Sequence, residues 1–429
     1  MTTLSTRAVI YFWLPLAITW LMMSVEGPYV AAIIARLPDA AFNLAAYGVA
    51  FAIAWLAEAP IMMMMTAANR LAQDRQSFLA MRRFMYVMCV CVTGVMALGS
   101  VPFVFRLVTT VLMTLPPEVA QLTHIAIAIL IPWPAAIAYR RFYQGVLVRH
   151  RMPRRVAYGT VIRLTAMSVT GATLAFTTSM HGATIGSIAL VIAVITEAIA
   201  SRWMARHIVA SILTGPAESR APLTRRAIAA FYYPLALTSI ISMAVGPLLT
   251  LFAGRGRMPI ESLAVLPVVQ GVVFMFRSGG VAFQEVGVAL TGQRGEHARE
   301  VRRAALVLGA ASVSALALLL FTPLAGIWLR GVSGLSPDLA EFALLPARLL
   351  AIHPMLDYLL AFQRSRFILS GATRAITIAT VLEVSGIALV LWVCIGPIGT
   401  TGAVAASIAL VAARFAANAY LATARVTTP

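Results

Sequence analysis

Ten ionisable residues lie within long apolar runs of this sequence: Glu26, Glu58, Arg163, Glu197, Arg277, Glu285, Arg348, Asp357, Glu383 and Arg414. An ionised side chain at a bilayer centre costs at least ~2.5–3.5 kcal/mol on insertion scales, so such residues face a cavity and carry partners. Glu197 and Glu285 fall near run ends, where a long side chain can snorkel to the interface, and Arg163 is close enough to do the same. Three chemistries are open to the rest. A buried carboxyl can take up a proton during part of a cycle; Glu26 is the first ion-coupling candidate, with Asp357 and His353 beside Pro354. A guanidinium stays charged and offers a planar fork to carboxylate or phosphate, which makes Arg277 and Arg348 candidate anion ligands. Arg348 has no near acid on its own run, since Glu341 is almost two turns away. Tyr29 and Met22 lie three and four residues from Glu26, on the same helical face, and complete a candidate substrate-binding wall of Glu26, Tyr29, Arg277 and Arg348. Finally, Glu58 and Arg277 are opposite charges that could pair in one state and part in another.

The elements that must position these groups are membrane helices. Hydrophobic residues make up 61% of the 429 and charged residues 11%, where a soluble domain carries about 25% charged. Apolar runs long enough to cross a ~30 Å hydrocarbon core are expected near 9–34, 42–67, 84–105, 119–145, 157–180 and 182–205. A second set is expected near 228–253, 260–291, 303–328, 338–363, 372–395 and 399–423. The expected fold class is an all-α polytopic membrane protein of twelve spans.

The second six repeat the first. Phe12-Trp13-Leu14-Pro15-Leu16-Ala17-Ile18-Thr19 returns as Phe231-Tyr232-Tyr233-Pro234-Leu235-Ala236-Leu237-Thr238, a shift of 219. Gly27-Pro28 falls on Gly246-Pro247 and Arg36 on Arg255 at that shift. Pro117 pairs with Pro337, Pro134 with Pro354 and Gly182-Ala183 with Gly402-Ala403 at 220. A constant offset marks duplication. Six spans per repeat return the chain to its starting side, so the repeats are parallel, with a pseudo-twofold axis along the membrane normal. The expected organisation is a six-helix lobe over 1–206, a cytoplasmic linker over 207–227 and a second lobe over 228–429. The lobes are expected to rock about a central cleft.

Charge placement orients the spans. All 33 basic residues are arginine, and 24 of them fall at the termini or after even-numbered spans, against five in the other loops. The positive-inside rule then puts both termini in the cytoplasm, in a cell inner (plasma) membrane. The net charge of +18 is this signal and not a nucleic-acid footprint, because the arginines are scattered over short loops. The first run is expected to be a span, not a cleaved leader. Without lysine there is no phosphate-loop nucleotidase, and no zinc-protease helix or nucleophile elbow is present, so no enzyme activity is expected. Cys89, Cys91 and Cys394 lie inside spans and imply neither disulfides nor a metal set, and no cofactor is expected. The Met62-Met63-Met64-Met65 run reads as packing, and Gly182/Gly186 with Gly402/Ala406 as close helix contacts.

Two features recur across the repeat. Glu58 maps to Arg277, and Arg163 to Glu383, opposite charges both times. Glu58 with Arg277 is therefore a candidate gate across the cleft; the alternative is that each pairs within its own lobe. Gly27-Pro28 and Gly246-Pro247 interrupt corresponding helices, since proline removes a backbone hydrogen bond and kinks the helix. Matching interruptions in two halves point to a transporter site.

These halves, with an early proline and a late break in the first helix, resemble the multidrug/oligosaccharidyl-lipid/polysaccharide (MOP) flippase superfamily. Leu345-Pro346-Ala347-Arg348-Leu349-Leu350-Ala351-Ile352-His353-Pro354 is similar to a stretch of the progressive ankylosis family. So are Phe231-Tyr232-Tyr233-Pro234-Leu235-Ala236-Leu237, Ala46-Tyr47-Gly48 and His181-Gly182-Ala183-Thr184. That resemblance implies export of anionic metabolites such as citrate, nucleotides or pyrophosphate. The multidrug and toxic compound extrusion (MATE) branch implies drug efflux coupled to protons or sodium through a first-helix acid. Glu26 stands at that position as Glu and not Asp, while Asp357 is out of register with that branch's helix-10 acid. The expectation is a monomeric exporter of organic or phosphate-bearing anions. A cation antiporter, a lipid-linked sugar flippase and a non-transporting scaffold stay open.

Overall fold

The structure, a computed structural model, describes residues 4–150, 152–215, 223–292, 295–370 and 372–424. Arg151, Arg220, Arg294 and Arg425, used above for orientation, lie outside them. The described residues form helices joined by short turns and loops, with one isolated bridge between Arg257 and Thr401. Among the described residues eleven helices are long and apolar enough to cross a membrane. The seventh expected span, 228–253, is built from Arg225–Met243 and Val245–Ala253, of which Ser239–Ala253 counts as a shorter apolar helix. The chain is a multi-pass membrane protein. Part of the expected linker is helix, Arg206–Thr214, and 216–222 lie outside the described residues.

The duplication is written into the backbone. Ser5 caps the first helix by accepting from Ala8 N at 3.2 Å, and Thr224 caps its repeat by accepting from Ala227 N at 3.2 Å. These side chains satisfy amide donors that the first turn leaves free. Asp39 and Met258, related by the same shift, both take left-handed φ angles, 54° and 52°. Short π-helical turns fall at Leu107–Leu112 and Ile327–Val332. Helix Thr6–Ser24 gives way at Val25 to Glu26–Ile34, and Arg225–Met243 gives way at Ala244 to Val245–Ala253, so Gly27-Pro28 and Gly246-Pro247 each lie just after a break.

The compact units are not the sequence halves. One contains residues 1–36 and 251–429, the other 37–250. In these units the first helix groups with the second half and most of the seventh with the first. The docking contacts give the reason, and they obey the repeat. Trp13 Nε1 donates to Gly279 O at 2.9 Å, and Tyr232 OH donates to Pro60 O at 2.7 Å. Trp13 and Tyr232 are repeat equivalents, as are Gly279 and Pro60. Pro28 lies beside Gly271, where the missing side chain lets the broken first helix approach. Val9 joins Phe283, Val301 and Phe362 in one core, while Ile228, Tyr232 and Ala236 join Phe78, Phe142 and Met81 in the other.

Candidate functional site

Each unit carries a buried cluster of charges on equivalent helices. In the unit containing 251–429, Asp357 is the hub. Arg277, on helix Pro259–Leu290, donates through Nε to Asp357 Oδ2 at 2.5 Å and through a terminal amine to Oδ1 at 3.5 Å. Arg414 bonds Asp357 Oδ1 and reaches Glu383 Oε1 at 2.7 Å. His353 Nδ1 lies 3.3 Å from Asp357 Oδ2, one turn away on the same helix, and its buried Nε2 has no hydrogen-bond partner among the described residues. Two guanidiniums face two carboxylates. Side-chain exposure runs from 1% at His353 and 4% at Asp357 to 15% at Arg414 and 23% at Arg277. Arg277 is the accessible end of the cluster, with Phe274 beneath it at 5.9 Å.

In the other unit Glu197 is the hub. It bonds Arg140, lies 3.2 Å from Arg163 Nε, and accepts from Gln144 Nε2 at 3.0 Å. Arg141 lies 3.9 Å from Glu58 Oε1 and donates to Met62 Sδ at 3.0 Å. Three guanidiniums face two carboxylates here. At the positions of Glu58 and Arg163 in this unit the other carries Arg277 and Glu383, so the charge signs are exchanged between the repeats.

Glu58 and Arg277 each pair within their own unit, the alternative left open above, Glu58 facing Arg141 and Arg277 bonded to Asp357. Glu197 does not snorkel: it is 0% exposed, because Arg140 and Arg163 lie within reach of it. Glu285 is exposed, as its position suggested. Arg348 is exposed and not short of partners; its Nε donates to Leu320 O at 3.0 Å and its guanidinium lies over Phe321 at 5.4 Å. A backbone carbonyl and a ring take the place of an acid beside it. Asp357, expected to carry a coupling ion, is an acceptor for two arginines. Glu26, half-buried, opens the second part of the broken first helix, with Tyr29 and Met22 also half-buried. Gly246 and Pro247 lie in the first turn of Val245–Ala253, and Thr250 Oγ1 donates to Pro247 O at 3.0 Å.

Arg140, Gln144 and Glu197 were missed as a site. Arg140 and Gln144 stand one turn apart and so share a helical face, although Arg140 falls near the end of its span, where an arginine also reads as part of the cytoplasmic charge.

No family model and no curated sequence matches this chain. Solved structures do. The lipid II flippase MurJ in an inward closed conformation matches with a TM-score of 0.75 at 12% identity, covering 95% of this chain and 86% of that one. An inward-facing MATE multidrug resistance transporter of the MOP superfamily matches at 0.63 and 16%, covering 95% and 100%. The fold of this chain is similar to that of these membrane transporters. A MOP superfamily transporter from Pyrococcus furiosus, described by a reversed polarity of its binding pocket, also matches, at 0.62 and 14%, covering 97% and 94%. In this fold the two charge clusters lie on the second, fourth, fifth and sixth helices of each repeat.

Proposed function

We propose that this chain is a secondary active transporter working by alternating access, and that it exports organic or phosphate-bearing anions. The likeness to MATE transporters and to MurJ supports the transport mode, and the paired helix interruptions at Val25 and Ala244 supply hinges of the kind that discontinuous transporter helices use. Arg277 carries the substrate reading. Asp357 fixes one edge of its guanidinium, and nearly a quarter of the side chain stays accessible, so the fork has a free edge for a carboxylate or phosphate. Glu26 and Tyr29 at the first break complete the binding set, with Glu26 as the coupling acid. The chain works as a monomer in an inner (plasma) membrane with both termini cytoplasmic. Arg348, held by Leu320 O and Phe321, takes a supporting place.

A second reading has one observation behind it: the TM-score to the lipid II flippase, 0.75, exceeds the 0.63 to the MATE transporter. Under it Arg277 meets an anionic group of a lipid-linked substrate. Both readings are tested by ligand-induced stabilisation of the purified protein, since a ligand that binds only the folded state raises its unfolding temperature. Citrate or a nucleotide should stabilise the wild type, should stabilise Arg277→Lys less because lysine lacks the fork, and should leave Arg277→Gln unchanged. Stabilisation by lipid II alone favours the flippase, and equal stabilisation of wild type and Arg277→Gln removes Arg277 from the site.

A further inference from the structure

We propose that Glu58 is a reversible proton-binding site set at a break in the second span. It is the last residue of helix Ala40–Glu58; a 3-10 turn, Ala59–Ile61, follows, and the helix resumes at Met64–Leu71. Short 3-10 stretches inside a helix often mark hinges. The equivalent position of the other repeat, Arg277, lies inside the unbroken helix Pro259–Leu290. The break therefore belongs to the repeat that carries the acid.

Of the four acids in the two clusters, Glu58 is the one left without a hydrogen bond among the described residues. Glu197 has Arg140 and Gln144, Asp357 has Arg277 and Arg414, and Glu383 has Arg414 at 2.7 Å. Glu58 is 3% exposed, and its partner is Arg141 at 3.9 Å, beyond hydrogen-bond reach. It also closes a helix, where the backbone presents carbonyls instead of amide donors and the dipole is negative. One guanidinium at a distance is the direct counterpart of its charge. A proton taken from water onto a Glu58 oxygen makes the carboxyl neutral without breaking any hydrogen bond.

The groups packed around it are compatible with that step. Arg140 and Arg141 come from helix Trp133–Arg149, Arg163 from Pro153–Thr177 and Glu197 from Gly182–Met204. Tyr232 comes from Arg225–Met243 and bonds Pro60 O inside the break, while Cys89 of Arg75–Ser100 is committed to Ala135 O. Arg140 and Arg163 have Glu197 within reach as a second carboxylate. Arg141, which forms its ion pair with Glu58, is the arginine whose nearest counter-charge is neutralised, and it keeps the Met62 sulfur within the same break. Protonation is thereby transmitted to the residue that ties helix Trp133–Arg149 to the hinge.

The test is infrared difference spectroscopy of the full-length protein in lipid as pH is stepped, which needs no substrate and so stands apart from the fate of the anion reading. A carboxyl C=O band should appear on acidification in wild type, vanish in Glu58→Gln and persist in Glu26→Gln. Arg141→Gln should keep the band and shift its midpoint. If Glu58→Gln does not fold, Glu58→Asp is used and should move the band's frequency. A band that persists unchanged in Glu58→Gln or in Glu58→Asp, its absence from wild type, or an unmoved midpoint in Arg141→Gln overturns the proposal.

Discussion

Replacing Asp357 with asparagine tests the hub of one charge cluster. The side chain keeps its volume but loses its charge, and one oxygen must serve where two held Arg277 and Arg414. Removing one partner of a buried ion pair costs about 3–5 kcal/mol, because it strands the other charge. Two features place this site near the lower end: Arg277 is 23% and Arg414 15% exposed, and Arg414 retains Glu383 at 2.7 Å. We expect about 3 kcal/mol. Arg277→Gln should cost less, about 1–2 kcal/mol, since Asp357 keeps Arg414 and the arginine lost is the more solvated one. For a unit on the order of 200 residues, each kcal/mol lowers Tm by roughly 2–4 °C. Asp357→Asn should therefore melt roughly 6–12 °C below wild type, with Arg277→Gln between them. Thermal unfolding in detergent, followed by tryptophan fluorescence, measures this order. An Asp357→Asn protein that melts with wild type, or above Arg277→Gln, refutes the hub.

Trp13→Phe and Tyr232→Phe each remove a donor from a carbonyl at repeat-equivalent positions; each should lower stability by about 1 kcal/mol in the same unfolding assay, and unequal losses would break the equivalence. Gly145→Ala puts a methyl against Met65 O and the Ala68 side chain and should cost about 1–3 kcal/mol, read as a lowered Tm. Glu26→Gln should abolish gradient-driven transport while leaving expression intact; unchanged transport in that variant removes Glu26 from the mechanism.

The fold was largely legible because its signals are local and repeated. Apolar runs set the helices, and the 219 and 220 shifts located Pro28 and Pro247, whose breaks lie at Val25 and Ala244. What sequence could not supply was which helix docks where: the exchange of the first and seventh helices depends on Trp13 and Tyr232 finding carbonyls at Gly279 and Pro60. The site was half legible. Counting intramembrane charges found Glu58, Arg163, Arg277, Asp357, Glu383 and Arg414. Their pairing was not readable, because a helix end such as that near Glu197 looks the same in sequence whether its side chain snorkels or turns inward. Arg348 shows the opposite error, since backbone carbonyls and rings leave no trace in a list of acids.

The central claim is export of an anion through a site that includes Arg277. Inverted membrane vesicles test it most directly, loaded in parallel with labelled citrate, a labelled nucleotide and a labelled organic cation. Wild type should accumulate an anion, and Arg277→Gln should not. Accumulation of the organic cation alone would contradict it.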